Sequence, residues 1–324
     1  MVLKKREEVG NMFFKPKYNY SQELKKPVTF GNVDMEKAVE SGRMLKSAEF
    51  MKKQTAKYKA KQADLKKNHY TSFDGKSIDY YVFTPKEKRR AYPAMIYCHG
   101  GGFMFPIQKP MMQNSEIYSE KLGIKIFLPE YRISLESPCN TVLEDCYAML
   151  EYVFEHAGEL NVDPDKVLIY GDSAGGCLAA GVTLLNRDRK NYKLCGQMLL
   201  YPVCDNESQK YASVEKYKEA VWSKKANEAM WQIYLKRGVK EAEYIIPIKN
   251  NLEDLPPAYI EPQEIDILCD EALAYAEKLK RAGGKVQLNV VKGSYHGFDS
   301  DIKSPLVKRV FEKRIQVMKE MLDI

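Results

Sequence analysis

The sequence predicts an α/β fold with a mostly parallel central sheet that is flanked by helices. From about residue 93 to the C-terminus, short apolar segments alternate with longer segments of helical periodicity. This alternation is typical of strands and helices that build a parallel sheet covered on both faces. Upstream, an Asp74-Gly75 pair separates two strand-like segments, which predicts a β-hairpin.

The individual elements follow from the same patterns. Short apolar runs predict strands at 93–98, 124–128, 166–170, 196–201, 257–260 and 286–291. Longer periodic segments predict helices at 141–157, 174–186, 270–282 and 304–322. The lysine-rich segment 34–67 is also predicted as a helix. The alternation is interrupted at about 206–245, where an insertion with two tryptophans looks helical.

Length and composition are those of an ordinary globular protein. The chain has 324 residues, of which 44% are hydrophobic and 29% are charged, so we expect one large domain over 1–324. The formal net charge is +7, but the lysines from Lys52 to Lys67 have few interleaved aromatic residues. We interpret them as a solvated helix face and predict no nucleic-acid partner. An N-terminal region that binds membrane or nucleic acid remains the alternative, which deletion of residues 1–66 would test.

Cysteine usage and hydropathy bear on the compartment. The seven cysteines include no CxxC pair, and several lie in apolar runs. This pattern predicts buried thiols in a reducing compartment, with neither a disulfide framework nor a metal site. The first ten residues are charged and lack the apolar core of a signal peptide. No run approaches the ~18 apolar residues of a membrane-spanning helix, so we expect a cytoplasmic protein that does not bind membrane.

One serine lies in a run of small residues. The pattern G-x-S-x-G is formed by Gly171, Asp172, Ser173, Ala174 and Gly175, between a predicted strand and a predicted helix. This is the context of a nucleophile elbow, because the sharp turn tolerates only small neighbours and presents the hydroxyl at the edge of the sheet. We therefore predict that Ser173 is a nucleophile.

A serine nucleophile needs a base, and the chain has four histidines. His69 lies far upstream beside the hairpin, His156 lies in a predicted helix, and His99 opens a glycine run. His296 follows the last predicted strand, where a loop residue can reach the serine. His296 is therefore the predicted general base.

The base in turn needs a carboxylate that orients it. Glu264, Asp266 and Asp270 lie between the serine and the histidine, just after the predicted strand 257–260, and all three fit by spacing. Asp270 looks like the N-cap of the following helix. Asp266 is therefore the predicted partner of His296.

Three consecutive glycines, Gly100, Gly101 and Gly102, follow His99 at the end of a predicted strand. Because glycine has no side chain, their N–H groups can approach a reacting carbonyl closely. Such donors are worth about 3 kcal/mol each to a developing oxyanion. The N–H of Ala174, directly after the predicted nucleophile, is a further donor.

The motifs occur in a specific order. HGGGF, YGDSAGG, the D-x-L-x-D-E segment and HGF together resemble the hormone-sensitive lipase family of α/β-hydrolases, which includes microbial carboxylesterases and acetyl esterases. The resemblance runs from about residue 68 to the C-terminus and implies the α/β-hydrolase fold. It also implies a helical cap formed by 1–66 and 206–245, and no metal or organic cofactor. Relatives are often dimers, so a homodimer is an open expectation.

The same resemblance implies a role for each motif residue. Ser173 would be the nucleophile, Asp266 the acid and His296 the base. Backbone donors to the oxyanion would come from Gly101, Gly102 and Ala174. Residues that support the motifs are His99, Gly100, Gly171, Asp172 and Gly175.

Two positions depart from the family pattern. Glu130 stands where the family usually has aspartate before Tyr-Arg, and Ile267 stands where proline is common after the catalytic aspartate. Neither is a predicted catalytic position. The resemblance implies a serine carboxylesterase for short-chain acyl esters, with acetyl esters of sugars or other small metabolites as the expected class. An amidase or peptidase with the same triad, or a non-catalytic ligand-binding homologue such as the plant gibberellin receptor, remains an alternative.

Overall fold

The computed structural model describes residues 18–26, 34–190, 192–236 and 244–324. Its strands, in chain order, are β1 (Ala63–Thr71), β2 (Ser77–Pro85), β3 (Tyr92–Cys98), β4 (Lys125–Pro129), β5 (Val162–Asp172), β6 (Gly196–Leu200), β7 (Ala258–Glu261), β8 (Gln263–Ile265), β9 (Val286–Leu288) and β10 (Val291–Tyr295). Its helices are α1 (Met35–Glu40), α2 (Arg43–Thr55), α3 (Lys109–Leu122), α4 (Cys139–Glu155), α5 (Ala174–Asp188), α6 (Ala212–Lys216), α7 (Lys224–Leu235), α8 (Cys269–Arg281) and α9 (Pro305–Leu322).

The strands form one large sheet and one small one. The large sheet has the order β1-β2-β4-β3-β5-β6-β7-β9, and β8 pairs with β10 in the small one. The hairpin of β1 and β2 is antiparallel, and β2 is antiparallel to β4. All other neighbours in the large sheet are parallel. The predicted α/β fold with a mostly parallel central sheet is therefore confirmed.

The central strands are buried on both faces, and their side chains alternate between two cores. In β3, Ala94 and Ile96 belong to one hydrophobic cluster, whereas Met95 and Tyr97 belong to the other. The first cluster is completed by α4, α5 and α8, and the second by α3 and α9. This is the two-residue period of a strand that is covered on both sides by helices.

The predicted helix over 34–67 is wrong in its second half. Helix α2 ends at Thr55, and β1 begins at Ala63. β1 pairs with β2 along its whole length and forms an edge of the sheet, where Lys66 and Lys67 are exposed. An edge strand tolerates exposed lysines, and the backbone pairing with β2 overrides the helix preference of lysine and alanine.

One further difference from the prediction comes from the pairing of strands. The predicted strand 286–291 is divided, because Val286–Leu288 pairs with β7 whereas Val291–Tyr295 pairs with β8. The chain thus changes sheets just before His296, and this change positions the loop that carries the histidine.

Helix α3 was not predicted, because its sequence is largely polar. The structure nonetheless buries one face of this helix, which includes Met112, Tyr118 and Leu122.

The insertion at 206–245 contains α6 and α7, and α7 packs against α1. Tyr234 of α7 stacks on Phe103, directly after the glycine run, with ring centroids 3.7 Å apart. Of the segments predicted to form a cap, 1–17, 27–33 and 237–243 lie outside the described residues, and the cap assignment stays a prediction. None of the helices in the described ranges has the length and apolar character that a membrane span requires.

A buried ion cluster ties the C-terminal helix to the sheet. Arg314 of α9 is fully buried, and its guanidinium lies 2.6 Å from Glu261 Oε1 and 2.8 Å from Asp299 Oδ2. Glu261 ends β7, and Asp299 lies in the loop that follows His296. The Tyr259 hydroxyl also donates a hydrogen bond of 2.6 Å to Glu261 Oε2. One cation therefore joins a helix, a strand and the histidine loop.

We expect Arg314→Met to lower the free energy of unfolding by about 3–5 kcal/mol, because it leaves two buried carboxylates without their cation. Arg309→Met is the matched control on the same helix. Arg309 pairs with Glu23 at the surface, and exposed ion pairs contribute little, so its stability should stay close to that of the wild type. Chemical denaturation measures both. An Arg314→Met protein as stable as the wild type would show that the cluster does not hold α9 in place.

Candidate active site

The turn between β5 and α5 presents Ser173 in a strained backbone conformation. Ser173 has φ 56° and ψ −122°, a region that residues with side chains rarely adopt. A Cβ atom at Gly171 would lie 2.0 Å from the carbonyl oxygen of Gly175, and one at Gly175 would lie 2.0 Å from that of Cys98. The backbone segments are thus in direct contact. Only glycine fits at these two positions, as the elbow pattern requires.

A chain of hydrogen bonds runs from the serine through a histidine to an aspartate. Ser173 Oγ lies 2.8 Å from His296 Nε2, and His296 Nδ1 lies 2.6 Å from Asp266 Oδ2. Parallel pairing of β8 with β10 sets Ile265 beside Tyr295, so the residues that follow them leave the two strands at the same end. With Nδ1–H donating to the carboxylate, Nε2 is free to accept the serine proton.

Asp266 is the only one of the three predicted carboxylate candidates that reaches the histidine within the described residues. It is buried, and its second oxygen accepts a hydrogen bond from the backbone N–H of Leu268. Glu264 instead accepts from the N–H of Gly293. Asp270 accepts from the N–H of Ser213.

The prediction that Asp270 is an N-cap is wrong. Helix α8 begins at Cys269 with Leu268 as its N-cap, and Asp270 lies in the first turn. A carboxylate in the first turn still interacts favourably with the positive end of the helix dipole. The helix begins one residue before the predicted residue 270, and Asp266 accepts a hydrogen bond from the N–H of the N-cap residue Leu268.

The other histidines are placed away from the serine or are held in structural contacts. His99 is fully buried and stacks on Tyr131 with ring centroids 4.0 Å apart. Burial lowers the pKa of His99 to about 4, so its ring is neutral at physiological pH. His69 lies on the exposed edge strand β1, and His156 follows the last turn of α4. No group of three side chains suited to hold a metal ion occurs in the described ranges.

The glycine run forms a loop beside the serine. Gly101 and Gly102 have φ values of +116° and +60°, which favour glycine. Within the described residues, the N–H groups of Gly101, Gly102 and Ala174 have no backbone acceptor. These three donors are the ones that the motifs predict for an oxyanion, and that role stays a prediction.

Asp172 fastens this loop to the elbow. Its Oδ1 accepts a hydrogen bond of 3.1 Å from the N–H of Gly100, and a Cβ atom at Gly100 would lie 2.7 Å from its Oδ2. Burial, together with the nearby carboxylate of Asp299, raises the pKa of Asp172 to about 7. The elbow and the glycine loop are therefore joined by a buried carboxyl group that ionises with difficulty.

Two aromatic residues that were not predicted as site residues line the histidine. The ring of Tyr201 meets that of His296 edge-on at 5.0 Å, and its hydroxyl donates to Asp299 Oδ1 at 2.8 Å. Trp222, from the 206–245 insertion, stacks on the histidine ring with centroids 5.8 Å apart. A tryptophan inside a charged insertion was the one sequence signal for the second contact.

Comparison with known proteins places the chain among enzymes of similar sequence. It is 28% identical over 255 residues to a protein of Acanthamoeba polyphaga mimivirus named "Putative alpha/beta hydrolase R526", a match that covers 76% of this chain and 73% of that protein. Carboxylesterase NlhH of Mycobacterium tuberculosis is 28% identical over 236 residues, which cover 70% of this chain and 73% of that protein. Lipase 2 of Moraxella sp. is 32% identical over 235 residues, which cover 63% of this chain and 54% of that protein.

Solved structures agree with these relatives. A bacterial heroin esterase matches with a TM-score of 0.79 and 25% identity, over 94% of this chain and 98% of that chain. The thermophilic carboxylesterase EstE1, cloned from a metagenomic library, matches with a TM-score of 0.78 and 29% identity, over 90% of this chain and 99% of that chain. The family model described as alpha/beta hydrolase fold matches residues 95–300. The chain therefore belongs to the α/β-hydrolase family, which confirms the resemblance that its ordered motifs carry.

Proposed function

We propose that the protein is a serine carboxylesterase that hydrolyses short-chain acyl esters, with acetyl esters of sugars or small metabolites as the expected class. The observation that carries the proposal is the continuous hydrogen-bond chain from Ser173 through His296 to Asp266. Carboxylesterases, esterases and a lipase among the relatives support ester hydrolysis. The same arrangement of groups serves acyl transfer on unrelated folds.

In the proposed reaction, Ser173 Oγ attacks the ester carbonyl carbon while its proton moves to His296 Nε2. The carbon–oxygen bond to the alcohol then breaks, and the alcohol leaves with that proton. Water attacks the resulting acyl-serine and gives a proton to His296. The acid product departs as the proton returns to Ser173 Oγ. Asp266 holds the imidazole in one orientation and stabilises its cationic form throughout.

The oxyanion that forms at each tetrahedral stage would accept hydrogen bonds from the N–H groups of Gly101, Gly102 and Ala174. The lack of backbone acceptors for these groups within the described ranges supports this role. Such donors act without reorganisation because the loop is already fixed, and each is worth about 3 kcal/mol. The link from Asp172 to Gly100 is what fixes it.

The enclosure of the site supports a preference for small esters. Ser173 and His296 are each about nine-tenths buried, at 9% and 10% exposed. A Cβ atom at Gly102 would lie 3.3 Å from Met104 and 3.4 Å from Trp222. We further propose that α1, α2 and the 206–245 insertion belong to a helical cap over the serine, since the insertion supplies Trp222.

We expect Ser173→Ala to lower kcat/KM on p-nitrophenyl acetate by about 10⁴-fold or more, because the nucleophile is lost. Wild-type activity across p-nitrophenyl esters from acetate to laurate should peak at a short chain. Ser47→Ala, an exposed serine on α2, is the matched control and should retain activity. Full activity of Ser173→Ala would contradict the proposal. A folded wild type that cleaves amides and no ester, or binds a ligand without turnover, would support the corresponding alternative function.

We expect Asp266→Asn to lower kcat on the same esters by about 10⁴-fold, because an amide at this position favours the wrong imidazole tautomer. Glu264→Gln, only two residues away, should retain activity because Glu264 contacts Gly293 and Lys292 and not His296. Steady-state kinetics of the two variants decide between the carboxylates. A larger loss in Glu264→Gln than in Asp266→Asn would contradict the assignment.

The raised pKa of Asp172 predicts a stability effect with a definite sign. In the unfolded chain this carboxyl group ionises near its ordinary value of 3.8, whereas in the fold it ionises near pH 7. The fold therefore loses stability as the pH rises from about 4 to about 7. Asp172→Asn removes that loss while keeping an acceptor for the N–H of Gly100. We expect it to raise the free energy of unfolding at pH 8 by up to about 4 kcal/mol, since the shift is about three pKa units.

Chemical denaturation between pH 4 and pH 8 tests this prediction. The stability of Asp172→Asn should depend less on pH than that of the wild type. Asp64→Asn, at an exposed position on β1, should leave the pH dependence unchanged. A variant at Asp172 that is destabilised equally at every pH would contradict the assigned ionisation.

A further inference from the structure

Trp222 is held firmly in the segment between α6 and α7. The residue is 7% exposed, and its indole N–H donates a hydrogen bond of 3.1 Å to Asn227 Oδ1. Asn227 is itself buried and donates from Nδ2 to Ser208 Oγ at 2.9 Å. These successive contacts fix the indole plane, so Trp222 acts as a rigid wall and not as a mobile side chain.

The indole of Trp222 lies against two parts of the candidate site, the ring of His296 and the backbone at Gly102. On one side the indole stacks on the imidazole of His296, with ring centroids 5.8 Å apart and planes inclined by 28°. On the other side its Cη2 atom would lie 3.4 Å from a Cβ atom at Gly102. The indole therefore spans the space from His296 to the glycine loop. Ser173 Oγ lies within hydrogen-bond distance of the same histidine.

The position of the leaving group follows from the proposed chemistry. Its oxygen must come within hydrogen-bond reach of His296 Nε2 in order to take the proton. Any group on that oxygen must then run past the face or edge of the imidazole. Trp222 already covers one face of this ring, and Tyr201 meets the ring edge-on. The acyl group, attached to the carbon that Ser173 attacks, does not have to pass the imidazole.

We propose that Trp222 limits the bulk of the alcohol part of the substrate, so that the protein acts on esters of slender, unbranched primary alcohols. This inference rests on the proposed esterase function. It makes Trp222 a specificity-determining residue that the 206–245 insertion supplies to the site. Within the proposed class of small metabolites, those that carry a short acyl group on an unbranched primary hydroxyl fit this requirement.

The test uses two pairs of esters. Each pair compares a ring with a straight chain of the same number of carbons, on the alcohol side in one pair and on the acyl side in the other. The ratio of kcat/KM for cyclohexyl acetate over n-hexyl acetate reports the alcohol side. The ratio for ethyl cyclohexanecarboxylate over ethyl heptanoate reports the acyl side. We expect Trp222→Ala to raise the alcohol-side ratio about tenfold or more, the scale on which pocket shape discriminates apolar groups. The acyl-side ratio should stay within about twofold of the wild-type value, since discrimination there uses other contacts.

Trp231→Phe is the matched control on α7. The ring of Trp231 packs against those of Phe103 and Tyr234, with centroids 6.1 and 6.0 Å apart. Both kcat/KM ratios should be unchanged in this variant. Trp222→Phe gives a second, smaller opening of the same wall. If circular dichroism shows that Trp222→Ala does not fold, Trp222→Phe takes its place in the test. It should also raise the alcohol-side ratio.

Each result has one meaning. An unchanged alcohol-side ratio in a folded variant at Trp222, or an equal or larger change on the acyl side, would overturn the inference while the esterase function stands. A folded wild type that hydrolyses none of the four esters, nor p-nitrophenyl acetate, would overturn the proposed function itself. Ratios remove any general loss of rate that comes from the lost contact with His296.

Discussion

The sharp turn at Ser173 is the constraint on which the rest of the site depends. It brings β5, α5 and the end of β3 so close that a side chain at Gly171 or Gly175 would collide with a backbone carbonyl. Because these contacts join backbone to backbone, no rearrangement of side chains can relieve them. The strain at Ser173 therefore persists, and in this conformation the Ser173 hydroxyl lies within hydrogen-bond distance of His296 Nε2.

Buried charges connect this turn to the two loops that complete the site. Asp172 holds the glycine loop through Gly100, and its carboxyl group is costly to ionise in that environment. On the other side, Arg314 binds Asp299, which accepts a hydrogen bond from Tyr201, whose ring packs against His296. The low dielectric of the interior makes each of these links strong, and it also makes each one costly to break.

The sequence indicated the polar residues of the candidate site better than the aromatic residues that pack around them. The turn at Ser173 demands small neighbours, and that demand leaves a pattern which can be read without a structure. Asp266 could be chosen from three spaced carboxylates, but its contact with His296 depends on the pairing of β8 with β10, which spacing does not reveal. Trp222 reaches His296 only through the packing of the insertion. Likewise, the lysines of 34–67 favour a helix locally, and only pairing with β2 makes part of that segment a strand.

The most direct test of this account is to find which residue an ester-like organophosphate labels. Diethyl p-nitrophenyl phosphate should transfer its diethylphosphoryl group to Ser173 Oγ and release p-nitrophenol, as detected by mass spectrometry of the peptide that contains Ser173. The His296→Ala variant, which lacks the base, should be labelled far more slowly. Label on a different residue, or equal labelling of the wild type and His296→Ala, would contradict the claim that the histidine activates this serine.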